Sequence, residues 1–269
     1  MVGSNGKGST AAILTNLLQN KGKVALFTSP HLVSVRERFR INGKPISSDK
    51  LNEYLKHIRS ISSDLEPTFF EVATMIALLW FSEENVDWAV LEAGLGGRWD
   101  CTKIANGSMA LLSSISLEHT KILGNTKGEI LFEKAQILAE GGLLIHALNA
   151  NEYDLFSLAV GLGVNMENHL SALSSLPKEY DHWPVHQKSN LALAYSAYEK
   201  IIGGDTLPGL KNFHWAARNQ CLEADGKATV FLDGAHNPDS ILKWKESLAS
   251  PQKVILGVLD DKDFNEIWE

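Results

Sequence analysis

Short apolar runs alternate with longer amphipathic stretches along this chain. The runs KVALFT (23–28), VDWAVL (86–91), MALLSS (109–114), GLLIHA (142–147), ATVFLD (228–233) and KVILGV (253–258) are close to continuously apolar. Strands covered on both faces read this way, because neither face meets water. Between the runs, apolar residues recur at helical spacing: Ile13, Leu14, Leu17 and Leu18 in one stretch, Val72, Met75, Ile76 and Leu79 in another. Strands alternating with helices predict an α/β fold, a mostly parallel sheet flanked by helices. No internal repeat or low-complexity tract interrupts the order. The stretch 149–185 is weakly patterned, and no element is assigned there.

GGDTLPGL (203–210), with three glycines and a proline, is a loop signal. A further strand–helix–strand unit is expected over 228–258. The chain is therefore divided into a large N-terminal domain, 1–216, and a smaller segment, 217–269. At about 50 residues that segment lies near the lower limit for a domain.

The totals bound the function. The chain has 269 residues, 44% of them hydrophobic, enough for a sizeable core. The net charge of −7 argues against a nucleic-acid-binding face. An anionic ligand must be held by local donors instead of by the overall field. Two cysteines, Cys101 and Cys221, form no disulfide framework and no metal knuckle, which suits a reducing cytoplasm. No apolar run approaches the roughly 20 residues that span a bilayer, and the first residues do not read as a signal peptide.

Gly3-Ser4-Asn5-Gly6-Lys7-Gly8-Ser9-Thr10 precedes the first helical pattern. Glycines there let backbone N–H groups turn toward a phosphate, and the helix N-terminus adds partial positive charge. Lys7 is placed to reach the β- and γ-phosphates. The spacing is not G-x-x-x-x-G-K-[ST]. Gly8 stands where a magnesium-ligating hydroxyl is usual, so that hydroxyl must come from elsewhere. Read alone, the stretch also fits a flexible Gly-rich segment before a helix. The loop follows Met1 almost directly, so the strand expected before it is absent.

Seven further motifs occur in order: TSPHLVSVRERFRINGKPIS (28–47), FFEVATMIAL (69–78), LEAGLGGRWDCT (91–102), SLEHTKILGNTKGEILFEKAQI (116–137), HQKSN (186–190), WAARNQ (215–220) and FLDGAHNP (231–238). The series resembles the folylpolyglutamate synthase and dihydrofolate synthase family, a branch of the Mur ligase superfamily of ATP-dependent amide-bond ligases. The resemblance covers most of residues 2–263 and thins across 140–185. It implies a P-loop ATPase domain followed by a smaller Rossmann-like domain, here incomplete, with the active site between them. It implies ATP, magnesium, L-glutamate and a pteroate or folate as ligands, and a cytoplasmic monomer. In the implied reaction ATP phosphorylates a carboxylate, and the amine of glutamate displaces phosphate.

The resemblance carries roles onto matching positions. Lys7 falls on the β/γ-phosphates, with Asn5, Gly6, Gly8, Ser9 and Thr10 around them. Ser29 and Glu92 match magnesium ligands, and Ser29 supplies the hydroxyl that Gly8 lacks. His119 and Lys134 match a second magnesium site, with Lys134 carbamylated in related ligases. A carbamate is an anionic oxygen ligand of the kind magnesium prefers. Asn190, Arg218, Asp233 and His236 match the remaining ATP contacts. Read alone, Glu92 suits a capping or surface carboxylate, His119 a hydrogen-bonded structural residue, Lys134 a solvated helix lysine, and Asp233 with His236 an Asx-turn and a surface imidazole. On the substrate side, Arg36 and Arg38 are able to meet carboxylates. Phe69 and Phe70 either stack on a flat ring or belong to the core.

The departures are Ser4 for Thr, Glu118 for Asp, Lys103 for Asn, and Ala216-Ala217 for Pro-Gly before Arg218. Residues 138–185 are shorter than in the family, and LDDKDF (259–264) resembles a motif midway through its second domain. The expectation is thus a ligase truncated at both ends. A catalytically impaired relic that binds nucleotide, or another Mur-type ligase, is the alternative.

Overall fold

A computed structural model describes residues 1–149, 153–203, 209–210, 213–224, 228–248 and 253–257. Helix α1 (Lys7–Leu18) starts directly from the phosphate loop, with Gly6 as its cap at φ 87°. Nearly every residue of α1 is buried, which explains why its sequence has no strong polar face. Its neighbour is α8 (Val185–Ile202), and the two share a core cluster containing Ile13, Leu17, Leu191 and Tyr195.

Strand β1 (Val24–Phe27) is buried throughout and leads to an antiparallel β2 (Phe39–Ile41) and β3 (Lys44–Pro45). Helices α2 (Ser48–Ile61) and α3 (Phe69–Glu83) cover one face. Thr68 and Glu71 close a capping box at the start of α3, satisfying two otherwise orphaned N–H groups. Strand β4 (Trp88–Leu91) pairs parallel with β1. Strands β5 (Met109–Leu112), β6 (Leu143–His146) and β7 (Asn165–Asn168) form a second parallel set. Helices α4 (Thr120–Leu123), α5 (Lys127–Ala135), α6 (Leu155–Leu162) and α7 (Leu170–Ser174) complete this half. Leu112, Ile130, Leu131 and Leu144 form its core.

The strand missing before the loop has a two-residue counterpart. Val2 N–H donates to Leu111 O (2.9 Å), and Ser113 N–H donates to Val2 O (3.1 Å). On the other side Ala93 N–H donates to Met1 O (2.9 Å), and the Met1 ammonium donates to Leu91 O (2.7 Å). Met1 and Val2 thus join β4 to β5, and the order runs β3-β2-β1-β4-(Met1–Val2)-β5-β6-β7. Val2 is fully buried. Among the described residues no strand precedes α1, yet two residues, hydrogen-bonded on both sides, seat the loop.

The C-terminal unit is an antiparallel hairpin, β8 (Gln220–Ala224) and β9 (Ala228–Leu232), followed by α9 (Pro238–Glu246). The strand expected at 253–258 is not formed over 253–257, and residue 258 lies outside the described residues. So do 204–208 of the boundary loop and LDDKDF. Among the described residues no helix is long and apolar enough to cross a membrane.

Candidate active site

Three serines after β5 hold the phosphate loop. Ser113 Oγ donates to Asn5 O (2.6 Å), Asn5 N–H donates to Ser114 Oγ (2.9 Å), and Ser116 N–H donates to Ser4 Oγ (2.9 Å). Glycine is required at Gly3, at φ 139°, where a Cβ would lie 2.1 Å from Ser113 Oγ. The Lys7 ammonium donates to Gly3 O (2.8 Å) and Ser4 O (3.3 Å), so its charge folds over its own loop. Thr10 is buried within α1, and its hydroxyl turns back to Gly6 O.

A cavity of about 550 Å³ opens above the loop. It brings together Asn5, Gly6, Lys7, Gly8, Ser9, Ser29, Glu92, His119, Asn190, Arg218, Asp233 and His236. Thr10, Arg36, Arg38, Phe69, Phe70 and Lys134 are not on its wall. Sequence reading passed over Ser113, Ser114, Ala147, His186 and Lys243, which also line it. The serine run after an apolar strand was a signal for Ser113 and Ser114, and His186 opens the HQKSN motif.

Glu92 leaves the end of β4, 3% exposed, and its Oε2 accepts the Ser29 N–H at 2.9 Å. Burial raises its pKa, while Lys7 and the Ser29 N–H oppose the shift. A carboxylate and a serine on one cavity wall offer side-chain oxygens only. That set fits magnesium, which binds through few protein ligands and keeps its waters. Among the described residues no three His, Cys, Asp or Glu side chains cluster as a ready-made metal cage.

His119 caps α4 at φ 47° and faces the cavity. Lys134, almost fully buried on α5, is paired to Glu118 Oε1 at 2.9 Å and donates to Gly3 O at 3.1 Å. Burial lowers the Lys134 pKa, with Glu118 opposing. Burial acts to raise Glu118, but Lys134 and Lys7 hold it below the usual range. An ammonium offers no lone pair to a metal. Lys134 fits the second site only as a carbamate.

The two phenylalanines part company. Phe69 is 59% exposed, with the Arg38 guanidinium 5.0 Å from its ring centroid. Phe70, half-buried, packs on Phe27 at 5.7 Å, against the margin of the core. Arg38 is buried and donates through Nε to His31 Nδ1 (2.9 Å), while Arg36 is tied to Ile46 O (3.3 Å).

From the C-terminal unit, Asp233 accepts N–H groups from Asn219 (2.6 Å) and Ala235 (2.8 Å), shaping the turn that carries His236. The His236 Nδ1 lies 2.8 Å from Gly234 O, a carbonyl that can only accept, so Nδ1 is the donor there. Arg218 donates to Ala217 O at 2.7 Å. On the opposite wall, a Cβ at Gly6 would lie 2.3 Å from Asn190 Oδ1, so the loop glycine and α8 meet without side-chain spacing.

No protein-family model matches the chain. It is 31% identical over 316 residues to the dihydrofolate synthase/folylpolyglutamate synthase of Bacillus subtilis, covering 99% of this chain and 72% of that one. Two longer bifunctional relatives are 34% and 32% identical, and the chain spans 36% of each. Among solved structures, E. coli FolC in complex with DHPP and ADP superposes with a TM-score of 0.85 at 27% identity. That match covers 99% of this chain and 70% of FolC. A bifunctional folylpolyglutamate synthase/dihydrofolate synthase with Mn, AMPPNP and L-glutamate bound gives 0.76 at 28%, over 92% and 64% of the two chains. With the motifs in order and the fold matched across nearly the whole chain, this protein belongs to the folylpolyglutamate synthase/dihydrofolate synthase family.

Proposed function

We propose that the chain carries the site of an ATP-dependent ligase that joins L-glutamate to a (dihydro)pteroate or (tetrahydro)folate. One observation carries the reading: the phosphate-loop lysine, the Ser29–Glu92 pair and Arg218 all face one cavity. Phosphoryl transfer to a carboxylate needs positioning and charge neutralisation more than covalent help. Lys7 then holds the β/γ-phosphates, backbone N–H groups of the loop cradle them, and Arg218 meets them from the linker with a planar fork. Asn190 and His236 orient the nucleotide from opposite walls. The glutamate amine then attacks the acyl carbon, the C–O bond to phosphate breaks, inorganic phosphate and a proton leave, and an amide results. The sites divide between a 1–216 nucleotide domain and a 217–269 segment.

Ser29 Oγ and Glu92 would hold magnesium, which when bound neutralises phosphate charge. His119 and a carbamylated Lys134 would hold a second ion. Burial favours the neutral amine that carbamylation requires, and a carbamate beside Glu118 would pair two anions that a divalent cation neutralises. Phe69 and Arg38 give the acyl substrate an exposed ring and a fixed cation at one place, and Arg36 and Phe70 complete the substrate set. The protein works as a cytoplasmic monomer.

The test is ADP release by purified protein with ATP, magnesium, L-glutamate and either dihydropteroate or tetrahydrofolate, beside Lys7→Ala. Turnover dependent on both co-substrates and lost in the variant is expected. No turnover from folded protein that binds ADP overturns the ligase and leaves a nucleotide-binding relic.

A further inference from the structure

The position after the phosphate-loop lysine is Gly8, and the space its side chain would enter has two polar neighbours. A Cβ there would lie 3.4 and 3.6 Å from the Glu92 carboxylate oxygens and 3.7 Å from Nε1 of Trp215. Trp215 precedes the hairpin, three residues before Arg218. Its ring packs against the core shared by α1 and α8 and is covered by the Arg40 guanidinium, 5.5 Å from the ring. Arg40 is itself held by Glu37 O through Nε at 3.1 Å. The indole is thus fixed in place just outside the residues that line the cavity, with its nitrogen facing the Gly8 position beside Glu92.

An indole N–H donates and never accepts. It is useless to a cation and suited to an anion. Among the described residues no acceptor is hydrogen-bonded to it. Resting on the nucleotide reading above, we infer that Trp215 Nε1–H is a phosphate donor of this site. It stands beside the point where a hydroxyl usually follows the lysine. The metal-ligating part of that lost hydroxyl falls to Ser29, and Trp215 adds a hydrogen bond to a phosphate oxygen. The linker thereby contacts the same phosphates through Trp215 as through Arg218.

Trp215→Phe leaves one six-membered ring and removes the pyrrole half of the indole with its N–H. The expected result is a melting temperature lowered by the lost packing and, with the protein still folded, about tenfold weaker Mg-ADP binding by calorimetry, as for one hydrogen bond to a charged group. In the parent protein, the indole N–H resonance absent from the variant should move downfield on adding ADP. Unaltered ADP affinity, or a resonance that does not move, overturns the inference. Should the variant lose stability as well as affinity, the resonance decides. Lys7→Ala measured alongside separates the failures: if it too binds ADP normally, the nucleotide reading falls, and if it alone weakens binding, only the role of Trp215 falls.

Discussion

Asn5 of the phosphate loop and Asn237 at the start of α9 exchange amide hydrogen bonds in both directions, 3.3 Å one way and 2.9 Å the other. They are 232 residues apart. Asn5 also donates to Asp239 at 2.9 Å. The C-terminal unit is therefore fastened directly to the loop that reads the phosphates.

Asn237 has two tasks, because its Oδ1 also caps α9 through Ser240 N–H at 2.9 Å. Asn237→Ala removes cap and bridge, and should cost about 1 kcal/mol of stability together with a several-fold rise in the KM for ATP. Asn237→Ser retains a capping hydroxyl but is too short to bridge. It should keep the melting temperature and still raise the KM. Equal KM values for Asn237→Ser and the parent protein would show that the bridge has no bearing on the nucleotide.

Gly6→Ala probes the loop itself. The residue sits at φ 87°, and a Cβ would lie 2.3 Å from Asn190 Oδ1. Alanine in the left-handed region costs about 1–2 kcal/mol, and Asn190 must be pushed from the cavity wall. Calorimetry should find ADP binding weakened by at least about tenfold, with circular dichroism close to that of the parent.

The sequence made most of this site legible because its chemistry is local in the chain. Lys7 stands among its glycines just before a helical pattern, and Ser29 after β1 and Glu92 after β4 each sit at the end of an apolar run, where α/β sheets bind ligands. The fold was legible for the same reason, since doubly covered strands lack polar positions. Three features escaped. Met1–Val2 is too short for any periodicity, and its place in the sheet depends on carbonyls and N–H groups that sequence does not display. Glu118 and Lys134 stand sixteen positions apart in the chain, and only the packing of α5 beneath Gly3 makes them a pair. KVILGV read as a strand because it is a continuous apolar run, but burial decides strand formation as much as composition does, and Val254 and Ile255 are exposed.

The Glu118–Lys134 pair should behave as a buried one. Removing a single partner leaves an uncompensated charge and typically costs 3–5 kcal/mol, about that here. Lys134→Met should lose roughly this much in urea titration. Glu118→Gln with Lys134→Met should regain much of it, because no lone charge remains. If the double variant is as unstable as the sum of the two single ones, the two side chains are not coupled.

His146, buried at the end of β6, supplies a pH dependence with a definite sign. Burial first, and the neighbouring His169 second, lower its pKa from 6.5 to about 4. The unfolded chain therefore takes up a proton that the folded one refuses between pH 6.5 and about 4. Its contribution is complete above pH 6.5 and declines below it, at about 1.4 kcal/mol per pH unit. His146→Asn keeps a polar side chain without titration. Its stability should fall less steeply across this window, by about one proton in the slope of unfolding free energy against pH.

The linker before Arg218 holds Ala217 at φ 53°, where its Cβ is strained. The conformation has a purpose that the contacts reveal: it aims the Ala217 carbonyl so that it accepts both Gly234 N–H at 2.9 Å and Arg218 Nη1 at 2.7 Å. Glycine adopts this φ freely but loses more entropy on folding. Against about 1–2 kcal/mol of strain, the balance favours Ala217→Gly by roughly 0.5–1 kcal/mol. Urea titration should show a higher midpoint at constant slope, with ADP affinity unchanged within about twofold because the carbonyl stays where it is. A lower midpoint would mean that the methyl group contributes packing worth more than the strain it carries.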